Sequence, residues 1–239
     1  VIAPDDDFGR GFFMSHVDGE ALGRRIVRDE QFAAIRPQLA RQAGEILARI
    51  HAIDPGGLPE LPRVKTAEDV ATMFENYRRW SEPRPVFELA FRWAKERMPG
   101  EGATPRLVHG DFRNGNMLVT PQGVSAVLDW ELAHIGDPLR DLGWICTAAW
   151  RYSVIDKPVG GFGEREDLMA GYEAGGGGRV DPQALKFWEV LGSLRWSVMC
   201  IGMGFRARQS DRPVELSMIG RRTSENEIDL MRLLAPRGA

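Results

Sequence analysis

His109-Gly110-Asp111-Phe112-Arg113-Asn114-Gly115-Asn116 leads directly into Met117-Leu118-Val119-Thr120, Pro121-Gln122-Gly123 and Val124-Ser125-Ala126-Val127-Leu128-Asp129. A polar, glycine-bearing loop is followed by two short apolar runs on either side of a strong turn signal. That pattern predicts a loop entering a β-hairpin. With the turn at 121–124, Thr120 falls opposite Ser125, Val119 opposite Ala126 and Met117 opposite Leu128. Asn116 then lies opposite Asp129 at the open end of the hairpin, with Asp111 on the loop that enters it.

This juxtaposition has a chemistry. Oxygen ligands suit Mg²⁺, which takes few protein ligands and completes its shell with water and phosphate oxygens. Phosphoryl transfer needs a carboxylate to orient the attacking hydroxyl, and an Asn and an Asp to hold metal over the phosphates. Asp111 fits the first role; Asn116 and Asp129 fit the second. Apolar Leu118 and Leu128 beside them suit the floor under a flat base.

Outward from the hairpin the chain reads as helical. Leu39, Ala43, Ile46, Leu47 and Ile50 share one face of a helix from Pro37 to His51. His51, at its end, reads as a cap. Thr66 is expected to cap a second helix with the stripe Val70, Met73, Phe74, Tyr77 and Trp80. A third is expected from Val86 to Met98. Arg106-Leu107-Val108 reads as a short extended approach to the loop. After Pro138, with Asp137 as a cap, the chain is helical to about Trp150. Asp181 caps a long helix from Pro182, and Ser224 with Glu227 forms a capping box for the last one. Gly11 to Val17 reads as a strand closed by Asp18-Gly19. The fold class is therefore α+β, mainly helical, around one central β-hairpin.

The ordered motifs resemble the aminoglycoside phosphotransferase and choline kinase-like family. His109, Asp111 and Asn116 have the spacing of its catalytic loop, a relative of the kinase H-R-D-x-x-x-x-N loop. Asp129 in Leu128-Asp129-Trp130-Glu131 resembles its metal-binding Asp. Gly136-Asp137-Pro138-Leu139-Arg140-Asp141-Leu142 resembles its Gly-Asp-Pro…Asp-Leu segment, and Met14-Ser15-His16-Val17-Asp18-Gly19 its hinge. The resemblance implies a kinase-like C-lobe with ATP and Mg²⁺ as cofactors and a small-molecule hydroxyl as acceptor. It implies that the Ser15 carbonyl and Val17 amide bond adenine, with Met14 at the back of that pocket. It implies that His109 and Asp141 brace the loop, Asp141 through backbone amides. The branch containing kinase-like domains associated with acyl-CoA dehydrogenases is the nearer match, which points to a hydroxyacyl thioester or another small metabolite.

The resemblance divides the chain into an end of N-lobe with hinge strand at 1–19 and a C-terminal lobe at 20–239. Within that lobe it places a helical subdomain at 20–100, the loop and metal hairpin at 106–142, and C-terminal helices at 143–239. Such a kinase also needs a glycine-rich phosphate loop and a strand Lys. Gly9-Arg10-Gly11 is no phosphate loop, and Lys65, Lys95, Lys157 and Lys186 all follow the hinge. The N-lobe is thus expected to lie outside this sequence or to be lost. The apolar surface this leaves predicts a tendency to dimerise. A pseudokinase that binds nucleotide or metabolite without turnover is the main competing reading. A metal-dependent phosphoesterase is a second, opposed by a total of four histidines.

Composition narrows the classes. Hydrophobic residues make up 43% of 239 and charged residues 27%, as in a globular domain. The net charge of -3, with no block of consecutive Lys or Arg, argues against nucleic acid as a partner. No apolar run approaches a bilayer span. Cys146 and Cys200, each in a helix-like apolar segment, fit core positions in a reducing, cytoplasmic setting. Trp144, Trp150, Trp188 and Trp196 read mainly as core, with one or two available to an acceptor pocket. Arg113 reads equally as a phosphate or substrate contact and as a solvated side chain.

Overall fold

The computed structural model describes residues 15–100 and 104–235. Met14 and the first part of the expected N-terminal strand lie outside them. Ser15 to Gly19 form no strand. The chain first joins a sheet at Glu20, which bridges Val119 through backbone bonds of 2.9 and 3.0 Å.

The chain is mainly helical with two small antiparallel sheets. Helices α1 (Gly23–Arg28), α2 (Arg36–His51), α3 (Thr66–Trp80) and α4 (Pro85–Glu96) come first. Strands β1 (Arg106–Val108), β2 (Met117–Thr120), β3 (Gly123–Val127) and β4 (His134–Gly136) follow. Then come α5 (Leu139–Cys146), α6 (Arg165–Ala174), α7 (Pro182–Arg206), α8 (Pro213–Gly220) and α9 (Thr223–Leu234). β2 pairs with β3, and β1 with β4. The second pairing closes the loop between β1 and β2 into a pocket wall, because β4 returns the chain alongside the start of the loop.

The hairpin register differs from the sequence expectation. Only Pro121 and Gln122 form the turn, and Thr120 pairs with Gly123. Met117 pairs with Val127 and Leu118 with Ala126, with a bulge at Ser125. At the bulge Ser125 Oγ donates to the Asp18 carbonyl at 2.7 Å, and the Leu118 carbonyl lies 3.3 Å away. Asn116 therefore bonds Leu128, whose amide donates to its carbonyl at 2.8 Å, and Asp129 is the first residue beyond the mouth.

Two helix starts also differ. Thr66 is already inside α3 and Lys65 takes the cap position without a side-chain bond. The Ser224–Glu227 capping box does not form, because α9 begins at Thr223 and Glu227 pairs with Arg84 at 3.4 Å, tying α9 to the start of α4. Asp181 does cap α7, accepting from the Gln183 amide at 3.0 Å.

The helices do not all pack around the hairpin. Leu39, Leu47, Met117, Val119, Leu142, Ile145 and Leu168 share one core, which joins α2, α5 and α6 to the hairpin. α3 and α4 instead pack on α7 and α9 through Val70, Tyr77, Phe87, Phe91, Leu194 and Leu230. α7 is apolar on nearly every side, as a helix surrounded by others must be. It contributes Leu191, Leu194 and Val198 to this core and Trp196 and Cys200 to a tryptophan cluster. No described helix is long and apolar enough to cross a membrane.

Small residues set the closest crossings. A Cβ on Gly143 of α5 would collide with the Trp188 backbone of α7, whereas one on Gly57 would meet nothing within 4 Å. Gly143→Ala is expected to lower unfolding free energy by about 1–3 kcal/mol through overpacking. Gly57→Ala is expected to stay within about 0.5 kcal/mol of the parent. Urea titrations check both; equal midpoints for Gly143→Ala and the parent would contradict the crossing.

Candidate active site

The loop is built on a buried carboxylate. Asp141, two residues into α5, is wholly buried. Its Oδ2 accepts the His109 amide at 2.8 Å and its Oδ1 the Gly110 amide at 2.9 Å. His51 Nε2 lies 3.1 Å from the same Oδ2, and His51 Nδ1 lies 2.9 Å from the Tyr172 hydroxyl. Burial opposes ionisation of Asp141, but the bond and charge of His51, with the two amides, hold its carboxyl below the ordinary range. Burial pushes the Tyr172 hydroxyl up to about 12. His51 is thus no cap: it ties the end of α2 to α5, and the helix terminus is incidental.

The two amides face Asp141 because the backbone turns sharply at Gly110, with φ +86. A Cβ there would strike the Leu132 carbonyl. His109 then holds the loop to the hairpin. The Asp111 amide donates to its Nδ1 at 3.2 Å, so Nε2 carries the hydrogen and donates to the Leu128 carbonyl at 2.9 Å.

Asp111 is held at the loop's crest by three side chains. Trp144 Nε1 donates to Oδ1 at 2.6 Å, and Asn116 Nδ2 donates to Oδ2 at 2.6 Å and to the Asp111 carbonyl at 3.0 Å. Arg113 Nε reaches both oxygens at 3.2 Å, with its guanidinium 4.6 Å over the Trp150 ring. Because Asn116 donates through its nitrogen, its Oδ1 is the atom left to accept or ligate. Asp129 is exposed, with a left-handed backbone at φ 67 that sets it apart from the ladder. Asn116 and Asp129 are therefore neighbours at the hairpin mouth without forming a cross-strand pair.

Leu118 and Leu128 are half-buried on the hairpin, and Ser15 and Val17 are exposed near the chain's entry. The Leu128 carbonyl is taken by His109, which fixes that residue's position. Asp137 accepts the Leu139 amide at 2.9 Å at the start of α5, and burial raises its carboxyl.

A cleft of about 650 Å³ opens beside Asp111, with Asp129, Trp144, Trp150 and Trp196 in its walls. Trp144 lies three residues after Asp141 and so on the same face of α5. That spacing was the available signal for its contact with Asp111. Arg140 and Arg195 also line the cleft, and both bond Asp69 Oδ2, Arg140 at 3.3 Å. No local pattern links these three residues, which come from α5, α7 and α3.

A fold of this kind, with a braced loop beside a hairpin mouth, is that of the protein-kinase-like phosphotransferases. The chain belongs to the phosphotransferase enzyme family, which matches residues 2–185. A Ralstonia eutropha protein assigned to the aminoglycoside phosphotransferases superposes with a TM-score of 0.73 at 21% identity, over 98% of this chain and 76% of that one. Aminoglycoside 2'-phosphotransferase-IIIa in its GDP complex superposes at 0.64 with 19% identity, over 95% and 73%. Acyl-CoA dehydrogenase family member 10 of Mus musculus is 34% identical over 135 residues, which is 52% of this chain and 12% of that protein. The chain thus spans only a small part of this curated relative.

Asp141→Asn keeps the shape but leaves one accepting oxygen and puts an NH₂ where the second backbone amide needs an acceptor. It is expected to cost about 1–3 kcal/mol of stability at neutral pH. The Asp141 carboxyl is depressed in the fold, so its contribution is complete above the unfolded value of about 4 and fades as pH falls through the folded one. The gap between parent and variant should therefore close only below about pH 4. Denaturant midpoints at pH 7 and pH 3 test this; an unchanged gap at pH 3 would contradict it.

Proposed function

We propose that this chain is the catalytic lobe of an ATP-dependent kinase that moves the γ-phosphate to a hydroxyl of a small molecule. The observation that carries the reading is Asp111, held at the crest of a braced loop by Trp144, Asn116 and Arg113 at the edge of a cleft. An acceptor hydroxyl bonding Asp111 is oriented toward phosphate. Its oxygen forms the new bond to the γ-phosphorus, the bond to the β,γ-bridging oxygen breaks, ADP departs and the hydroxyl proton passes to Asp111. Arg113 has to leave the Asp111 oxygens to admit that hydroxyl.

Asn116 Oδ1 and the Asp129 carboxylate fit Mg²⁺, since both are oxygen donors at the hairpin mouth. When bound, Mg²⁺ neutralises charge on the β- and γ-phosphates. We assign adenine to Met14, the Ser15 carbonyl and the Val17 amide, with Leu118 and Leu128 as its floor. Residues 1–19 are taken as hinge and end of an N-lobe, and 20–239 as the catalytic lobe. The free, buried Cys146 and Cys200 support a cytoplasmic setting, with burial raising both thiols. The similarity to an acyl-CoA dehydrogenase family member supports a hydroxyacyl thioester or related metabolite as acceptor.

A binding module without turnover is the competing reading. The contact of Arg113 with both Asp111 oxygens favours it. Among the described residues no three His, Cys, Asp or Glu side chains gather around one point, which speaks against a two-metal phosphoesterase.

γ-Phosphate transfer by the full-length protein decides between turnover and binding. Asp111→Asn is expected to lower kcat by ~10²–10⁴-fold with little change in the KM for ATP. Near-normal kcat would remove Asp111 from the reaction. Asp129→Ala is expected to abolish Mg²⁺-dependent turnover while thermal unfolding stays close to the parent's, since the side chain is exposed. Normal turnover across a Mg²⁺ titration would reject the ligand assignment.

A further inference from the structure

A kinase that holds ATP beside an activating carboxylate has to keep that carboxylate from serving water. At Asp111 the geometry for this lies in Arg113. Arg113 Nε stands 3.2 Å from Oδ1 and 3.2 Å from Oδ2, so its one N–H is shared between the two oxygens. Trp144 Nε1 takes Oδ1 and Asn116 Nδ2 takes Oδ2, each at 2.6 Å. A carboxylate oxygen accepts about two bonds, so these three donors fill the places an attacking oxygen would use. Of the three, Arg113 alone is not buried.

Arg113 rests in a built seat. Its guanidinium lies 4.6 Å over the Trp150 ring. Trp150 is buried, with its ring 5.2 Å from Trp144 and 5.0 Å from Trp196. The next residue, Arg151, is tied to the Cys146 carbonyl at 2.7 Å, the Pro158 carbonyl at 3.1 Å and Glu189 at 2.8 Å, which fixes the backbone that carries the ring. Gly115 forms another side of the seat. A Cβ there would come within 2.6 Å of Arg113 Nη1 and 3.0 Å of the Tyr152 hydroxyl, and its φ of +112 also favours glycine. Tyr152 donates to the Asn114 carbonyl at 3.1 Å and so holds this part of the loop in place.

The seat holds Arg113 without locking it. The Arg113 and Asp111 side chains are 22% and 15% exposed, and neither a part-exposed ion pair nor a cation–π contact is strong alone. An acceptor molecule brings a hydroxyl for Asp111 and also covers apolar wall, since Trp144, Trp196 and Met199 line the same cleft. Water brings its own hydrogen bonds and no such burial. Displacing the guanidinium is therefore favourable for the first and unfavourable for the second.

We infer that Arg113 is a specificity-determining residue: seated between Trp150 and Gly115, it shuts Asp111 to water and yields only to an acceptor that also fills the cleft. The inference rests on the kinase reading. The reaction it suppresses is hydrolysis of ATP. There the water oxygen bonds the γ-phosphorus, the bond to the β,γ-bridging oxygen breaks, ADP and inorganic phosphate leave, and the water's proton passes to Asp111 and on to solvent.

The test uses the full-length protein with ATP and Mg²⁺. Phosphate release is measured with no acceptor added, and phosphate transfer with 3-hydroxybutyryl-CoA or kanamycin as probes. Arg113→Gln is expected to raise acceptor-free hydrolysis roughly 5–30-fold, the combined worth of a part-exposed ion pair and a cation–π contact, with the KM for ATP unchanged. Arg113→Lys keeps the charge but not the planar stack, and is expected to fall between parent and Arg113→Gln. Adding Asp111→Asn to Arg113→Gln is expected to remove the gained hydrolysis, which shows that it runs through Asp111. A merely structural Arg113 would instead lower hydrolysis, transfer and the unfolding midpoint together. Thermal unfolding reports whether each variant folds, and Arg113→Lys remains decisive if Arg113→Gln does not. Unchanged or lower acceptor-free hydrolysis in a folded variant would overturn the inference, and transfer by the parent to either probe would then leave the kinase reading intact. No ATP turnover by the parent or any variant, with or without the probes, would remove the inference and count against the kinase reading itself.

Discussion

The structure depends on one buried carboxylate. Asp141 has no exposure to water, so it is tolerable only because every direction it faces offers a donor. Those donors are the His109 and Gly110 amides on one side and His51 on the other. The bonds join α2, α5 and the loop after β1 at a single point. Without them the loop would lose its curvature at Gly110, and Asp111 its fixed place beside Trp144. A charge in the core thus serves geometry, since the same volume filled by an apolar side chain would pack but could not hold two backbone amides in line.

From that point the site extends outward by short rigid steps. His109 carries the constraint to the hairpin through the Leu128 carbonyl, and Asn116 carries it back to Asp111. α7 supplies the opposite wall, packed on α5 across the bare face of Gly143. Asp129 is left free of the ladder by its left-handed backbone, and its exposure suits a group that acts on a ligand. Asp129 faces solvent, while His109, Asn116 and Asp141 are buried and each hydrogen-bonded.

Much of this was legible in the sequence because it is local. The loop, the hairpin, and the helices at α2, α3, α4 and α7 follow from period, turn chemistry and caps within a few residues. What the sequence hid is what depends on distant partners. At the bulge the Ser125 hydroxyl donates to the carbonyl of Asp18, more than a hundred residues earlier. His51 reads as a helix end until Asp141 and Tyr172 arrive from elsewhere in the chain. The Arg140–Asp69–Arg195 group has no motif, since α3, α5 and α7 meet only in three dimensions. β4 is three residues long, α6 carries Gly171 inside its span, and α8 buries no side chain, so none shows a strong period.

In the proposed kinase, Asp111 and the hairpin mouth face a transferable phosphate. The most direct measurement is a structure of the full-length protein with Mg²⁺ and an ATP analogue that cannot be cleaved at the β,γ-bond. The γ-phosphate is expected over the Asp111 carboxylate, the metal on Asn116 Oδ1 and Asp129, and the base against Leu118 and Leu128. A nucleotide bound away from the hairpin mouth, or a metal held by neither Asn116 nor Asp129, would contradict it.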